Sequence, residues 1–320
     1  MSANAQTRSS EKASTSQSSV RFSYSTPDQP RLQRAVIRAI ELVGGQRRLK
    51  RLYESQAYEC GPDETFFDVS IRKLKLDVIY NPDRLAAVPV EGPVVFVANH
   101  PYGVLDGLVL SALTLKVRPD TRIMANEILS RVPETREHLL PVDFAETREA
   151  LETNIASRRA AQGWLKRGGA VGIFPGGGVA TSERPLGRSV FDLPWHPFTA
   201  KLIRSARATV VPILFSGHNS RLFQVASHVS LTLRLSLMFH ETARRIGSRL
   251  DVAIGEPILF SALEDIEDRE ELVAELRRRT YALGAATRVD WSRHGRIRGD
   301  RRQRADVTAA RGNKRMRISY

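Results

Sequence analysis

From about residue 84 onward the chain switches repeatedly between two hydrophobic rhythms. Val94-Val95-Phe96-Val97-Ala98 is a short β-branched run of the kind found in buried strands. Residues 106–117 predict a helix, 121–125 a short strand, and 146–167 a long helix ended by Gly168-Gly169. A strand follows over 170–174, then a helix over 194–206 with Pro194 in its first turn. Strands are predicted at 209–215 and 250–254. The last helix, 268–283, has Asp268 as its cap and Glu271 placed to reach back to it. Strands alternating with helices predict the α/β class, a central, mostly parallel sheet covered by helices.

The N-terminal part reads differently. Residues 1–30 are polar and aperiodic, as in a disordered tail. Over 31–43, Leu32, Val36, Ala39, Ile40 and Val43 share one helical face and Arg34, Arg38 and Glu41 another, before Gly44-Gly45 stops the helix. Such a helix either docks on the domain or lies in a membrane interface with its arginines at the headgroups. A basic stretch follows from Arg47 to Tyr53. The expected organisation is a tail at 1–30, an amphipathic helical segment at 31–83, the α/β domain at 84–287 and a basic, mobile tail at 288–320.

Charge sharpens this division. The formal net charge is +14, and residues 288–320 hold 11 Lys/Arg against 3 Asp/Glu, residues 1–55 hold 10 against 4, and the middle holds 28 of each. A neutral core with cationic ends suits an enzyme drawn to a polyanion, either nucleic acid or an anionic lipid surface. A nucleic-acid-binding protein would carry its excess onto the folded core, and no nucleic-acid module is recognisable. The single cysteine, Cys60, rules out an internal disulfide and any multi-cysteine metal site, and points to a reducing compartment. No stretch reaches the roughly 18 apolar residues of a spanning helix, and no secretory leader is visible.

Three motifs carry candidate chemistry. In Asn99-His100-Pro101-Tyr102-Gly103-Val104-Leu105-Asp106-Gly107, a histidine follows a buried strand directly and an aspartate opens the next helix. Sites in open α/β sheets form at the carboxyl ends of strands, and histidine is a general base near neutrality. If the turn folds back, Asp106 can fix the tautomer of His100; it also stands where a helix cap would. In Gly172-Ile173-Phe174-Pro175-Gly176-Gly177-Gly178-Val179-Ala180-Thr181 a strand runs into three glycines, whose amides can approach a phosphate or an oxyanion. An ordinary glycine turn is the bland alternative. Arg184 and Arg188, just beyond, are either anion ligands or solvated loop arginines. In the third, Val211-Pro212-Ile213 leads to Gly217-His218-Asn219-Ser220-Arg221-Leu222-Phe223. Pro212 predicts an edge or bulged strand, and His218 is either a second acid/base or peripheral.

Taken in order, His-then-Asp, Phe-Pro-x-Gly and Val-Pro-Ile resemble the lysophospholipid and glycerol-phosphate acyltransferase superfamily. The Asn-His-Pro-Tyr-Gly and Gly-x-Asn-Ser-x-Leu-Phe runs are similar to a branch of putative haemolysins and ornithine-lipid O-acyltransferases. The resemblance covers about 31–260. It implies an acyl thioester donor, acyl-CoA or acyl-carrier protein, as co-substrate. The implied acceptor is a lysolipid hydroxyl, and neither a bound cofactor nor a metal is expected. It implies catalytic His100 and Asp106, with Asn99, Gly103, Phe174, Pro175, Gly176, Gly177, Gly178, Arg184 and Asn219 around the substrates. The expected place is the cytoplasmic face of a membrane, held peripherally through the basic ends and the 31–43 helix, with no nucleic-acid partner. Two features depart from the superfamily: five residues, not four, separate His100 from Asp106, and Gly176 stands for the usual glutamate. Gly178 likewise stands where relatives tend to carry a charge, so only backbone donors are expected in that loop. A catalytically silent, lipid-binding member is the alternative that these losses favour.

Overall fold

The computed structural model describes residues 64–286 except 186 and 188, together with residues 31, 34, 35, 37, 38, 44–54 and 61 and the backbone of 295–298 and 317–319. The tail at 1–30, Cys60, Arg188 and the apolar face expected over 31–43 lie outside the described residues.

Strand β2 (Val94–Ala98) is buried along its whole length. It lies between two parallel neighbours, β5 (Ala170–Ile173) and β8 (Thr209–Phe215). A strand covered on both faces has no use for polar alternation, which is why the run is uniformly apolar. β3 (Arg122–Asn126) and β4 (Leu139–Val142) continue the parallel block beyond β5. On the other side β9 (Arg249–Ile254) pairs antiparallel with β8, and β1 (Asp77–Tyr80) runs parallel to β9. Two short strands within the expected basic tail, β10 (Gly295–Arg298) and β11 (Arg317–Ser319), extend the β1 edge. β1 precedes residue 84, where the alternation was expected to begin, and belongs to the same sheet.

The side chains of β2 sort by parity onto two cores. Val94, Phe96 and Ala98 pack with helix α4 (Val104–Val117) and helix α2 (Phe66–Lys73). Val95 and Val97 pack with α5 (Arg148–Lys166), α6 (Phe198–Ala206) and α9 (Arg269–Ala286). α4 is apolar nearly all round, as befits a helix buried against the sheet. Helix α1 (Gln46–Glu54) lays Leu49 and Leu52 on the first core and leaves Arg47, Arg48 and Arg51 exposed. The short α3 (Pro82–Ala86) follows β1, and α7 (Arg221–Val229) and α8 (Leu231–Arg244) connect β8 to β9.

One local expectation needs correction, and one pair of alternatives is decided. The helix expected over 194–206 begins only at Phe198, because Pro197 serves as its N-cap and the preceding residues follow the Asp192 loop. Of the edge and bulged readings of Pro212, the bulged one holds, in a strand that lies between β2 and β9. The carbonyls of Val210 and Pro212 both face β9, accepting from Ile258 N at 2.8 Å and Gly255 N at 2.8 Å. The pairing steps from Val210↔Ile258 to Ile213↔Ile254, which leaves one extra residue opposite Pro212. The proline's missing N–H therefore faces a bulge, where no ladder bond is lost.

Candidate active site

The order β8-β2-β5 places the ends of three neighbouring parallel strands side by side. β2 delivers Asn99-His100, β5 delivers Phe174 and the glycine loop, and β8 delivers the 216–220 turn. Motifs as much as 120 residues apart in sequence are thus brought together by strand pairing alone.

His100 is fixed through its backbone as well as its ring. Its N–H donates to Asp192 Oδ1 at 3.0 Å and its carbonyl accepts from Ala180 N at 2.7 Å. The ring stacks on Phe174 with centroids 4.1 Å apart. Nδ1 lies 3.1 Å from Asp106 Oδ2. That contact is short, but the ring N–H is not aimed well enough to make a formed hydrogen bond, a looseness common before substrate arrives. Nε2 is the ring nitrogen turned away from Asp106.

Asp106 is fully buried. Its Oδ2 accepts from Tyr102 N at 2.7 Å and Gly103 N at 2.9 Å, so it caps α4 while facing His100. The capping reading of this residue therefore holds, and the cap leaves its carboxylate beside the His100 ring. Burial pushes its carboxyl up, and His100 and the two amides oppose the shift by favouring the charged form. The turn that allows this geometry needs Gly103 at φ +83, where a Cβ would also stand 2.9 Å from Met238 of α8 and 3.2 Å from Val179.

Asn99 has a different task from the substrate contact expected of it. Its Nδ2 donates to Phe215 O at 2.9 Å and its Oδ1 accepts from Phe215 N at 2.7 Å, which extends the β2–β8 ladder by one side-chain rung. Tyr102 donates to Ser216 O at 2.5 Å beneath the Arg245 guanidinium, 3.9 Å from its ring. Burial raises the Tyr102 pKa to about 12, so the phenol stays protonated. Asn219 is fully buried, and neither end of its amide has a partner among the described residues. His218 is exposed, with Nδ1 on the Asn219 carbonyl at 2.8 Å, and Arg184 is exposed in the turn after β6 (Thr181–Ser182); neither side chain joins the His100 group.

The glycine loop departs from expectation. A Cβ on Gly176 would stand 2.9 Å from Asp192, so the space for a side chain there is already taken. Asp192 comes from just after β7 (Val190–Phe191). Its carboxylate holds the His100 N–H and accepts from Trp195 Nε1 at 3.1 Å, and its main-chain N–H donates to Tyr281 on α9 at 2.9 Å. Burial raises its pKa against those donors. At Gly178 a Cβ would stand 3.4 Å from Arg234 Nη2 on α8. A carboxylate and a guanidinium thus stand beside the loop, both from other elements, where backbone donors alone were expected. Neither Asp192 nor Arg234 carried a motif that sequence could have flagged.

One apolar cavity adjoins this group. It runs between α1, α2, α4 and α8, lined by Leu49, Leu52, Phe66, Leu108, Ile123 and Phe239, and reaches Val104 and Gly107 on the same helical turn as Asp106. Among the described residues no helix is long and apolar enough to cross a membrane.

Residues 52–289 match the family described as acyltransferase. The lyso-glycine lipid O-acyltransferase of Phocaeicola vulgatus is 24% identical over 191 residues, 56% of this chain and 64% of that one, so the chain spans a little under two thirds of this relative. Among solved structures, the 1-acyl-sn-glycerophosphate acyltransferase PlsC from Thermotoga maritima aligns with a TM-score of 0.44 at 15% identity, covering 83% of this chain and 86% of that one.

Proposed function

We propose that this chain, which belongs to the acyltransferase family, moves a fatty acyl group from a thioester to a hydroxyl of a lysolipid at a membrane surface. One observation supports the reading above others. A buried aspartate lies 3.1 Å from the ring of a histidine at the carboxyl end of a central strand, and an apolar cavity opens one residue further along the same helix, at Gly107.

In this mechanism His100 Nε2 takes the proton from the acceptor hydroxyl as its oxygen attacks the thioester carbonyl. Asp106 keeps the Nδ1 proton in place and stabilises the imidazolium that forms. Backbone N–H groups bear the negative charge of the tetrahedral oxygen, an effect of roughly 3–4 kcal/mol per donor in other enzymes. Collapse breaks the carbon–sulfur bond, and the thiolate leaves with the proton held by His100. The cavity receives an alkyl chain, since its largely apolar wall of aliphatic and aromatic side chains matches a hydrocarbon. Helix α1 covers one side of that cavity and turns its arginines outward, as a helix facing anionic lipid would. Acyl-CoA and acyl-carrier protein are both donors of the required chemistry.

The test is acyl transfer in detergent, with labelled acyl-CoA or acyl-carrier protein and a panel of lysolipids. Transfer by wild type that is lost in His100→Ala of equal folded stability supports both activity and mechanism. Transfer that survives the substitution keeps the activity and discards His100 as base. No transfer with any pairing, in protein that binds liposomes, favours a lipid-binding role.

A further inference from the structure

Arg234 is a partly buried cation with no acidic partner among the described residues. Burial lowers its pKa, and no carboxylate among the described residues acts in the opposite direction. Its guanidinium carries five N–H donors, yet its one hydrogen-bond acceptor among the described residues is the carbonyl of Val179. A desolvated charge left in this way is costly unless something pairs with it.

Its position says what that partner would meet. Arg234 and Met238 lie one turn apart on α8, so they share a face. Met238 packs on Gly103, at the turn held by Asp106, and Arg234 flanks Gly178. Val179, whose carbonyl Arg234 holds, also packs on Gly103, and the next residue, Ala180, is bonded to His100. The loop beside the guanidinium is open: a Cβ on Gly177 would meet nothing within 4 Å. The amides of Gly176 and Gly178 have no acceptor among the described residues. A guanidinium beside free backbone amides matches the oxygens of a phosphate or a carboxylate.

We propose that Arg234, together with the Gly176 and Gly178 amides, receives an anionic headgroup, phosphate or carboxylate, on the acceptor lipid and so sets acceptor specificity. This rests on the acyl-transfer reading above for the word acceptor, but the anion site can be measured without transfer. Calorimetry would follow binding of three soluble amphiphiles of equal chain length: a lysophosphatidate, an N-acylglycine and an uncharged monoacylglycerol. The proteins compared are wild type, Arg234→Gln and Arg234→Lys, each checked by its unfolding midpoint.

Wild type should bind at least one anionic amphiphile about tenfold or more tighter than the monoacylglycerol. Arg234→Gln should abolish that advantage and leave the monoacylglycerol unchanged. Arg234→Lys, which keeps the charge but not the fork, should retain part of it. Which anion binds tighter assigns the headgroup as phosphate or carboxylate. If Arg234→Gln does not fold, Arg234→Lys carries the test, with a several-fold loss for the anions alone. The proposal is overturned if wild type shows no preference for the anions, or if the variants weaken all three amphiphiles equally, as a purely structural strap would. Anion selectivity that persists in a protein without transfer activity would overturn the enzymatic reading and leave this site standing.

Discussion

Replacing Asp106 by asparagine separates its two tasks. The amide oxygen of asparagine can still accept from the Tyr102 and Gly103 N–H groups, now at 2.7 and 2.9 Å from Oδ2. Those bonds lose their charge assistance, which costs about 1–2 kcal/mol in all. The removal of a buried charge offsets part of that. Asp106→Ala, by contrast, leaves two buried amides without an acceptor, at about 1–3 kcal/mol each, and removes the cap. Catalysis should behave in the opposite way. The same Oδ2 that accepts from the two amides faces His100 Nδ1 at 3.1 Å, so an asparagine oxygen in its place still offers Nδ1 an acceptor. The tautomer is kept, and what is lost is the carboxylate charge beside the imidazolium that forms as His100 takes the proton. The expected fall in kcat is about 10²–10³-fold, since a neighbouring carboxylate favours a cation by about one to three pKa units, or roughly 2.7–4 kcal/mol of barrier, with KM for the donor little changed. Urea unfolding and single-turnover acyl transfer on the same preparations measure the two effects. Folded Asp106→Asn protein with kcat within tenfold of wild type would show that Asp106 is a helix cap and nothing more.

The other predictions bear on the frame around the site. Gly217 has φ +100, and a Cβ there would stand 2.0 Å from the Tyr102 hydroxyl; Gly217→Ala should lose about 2–4 kcal/mol of stability and lower activity through the 102–103 turn, read by urea melts and transfer rate. Arg118 is buried at the opposite ends of the strands, where it bonds Asp120 and the carbonyls of Pro89, Gly92 and Gly168. Arg118→Met should cost about 3–5 kcal/mol yet leave kcat per folded molecule unchanged. Because burial raises the Asp192 pKa above 3.8, its contribution to stability is full below about pH 4 and fades as pH rises through the folded value. Asp192→Asn should therefore flatten the fall in urea midpoint between about pH 4 and pH 7, and an unchanged slope would refute the assignment. A Cβ on Gly107 would meet nothing within 4 Å, so Gly107→Ala should raise stability by about 0.5–1 kcal/mol, while Gly107→Leu should fill the cavity and shift transfer toward shorter acyl chains.

The sequence by itself determined the secondary structure of the central block and the identity of the residues at the strand ends. The uniformly apolar run at 94–98 allows only a strand covered on both faces, and it is found over the same five residues. The pairing of His100 with Asp106 was legible because both lie within one turn, where Gly103 alone frees the backbone to fold back. Local chemistry of that kind is written in neighbouring residues. Tertiary structure decided everything that depends on strand order. Pro212 marked a broken ladder bond, but only the packing of β9 decided that a bulge beside a central strand, not a sheet edge, accommodates it. Asn99 lies inside a recognisable motif, yet its partner is Phe215, 116 residues away on β8. Asp192 and Arg234 lie in no motif. They acquire their places because the loop after β7 packs against Gly176 and the face of α8 against Gly178, where no side chain stands in the way. A sequence shows where side chains have been removed; which distant residues occupy the space is set by the packing of the whole sheet.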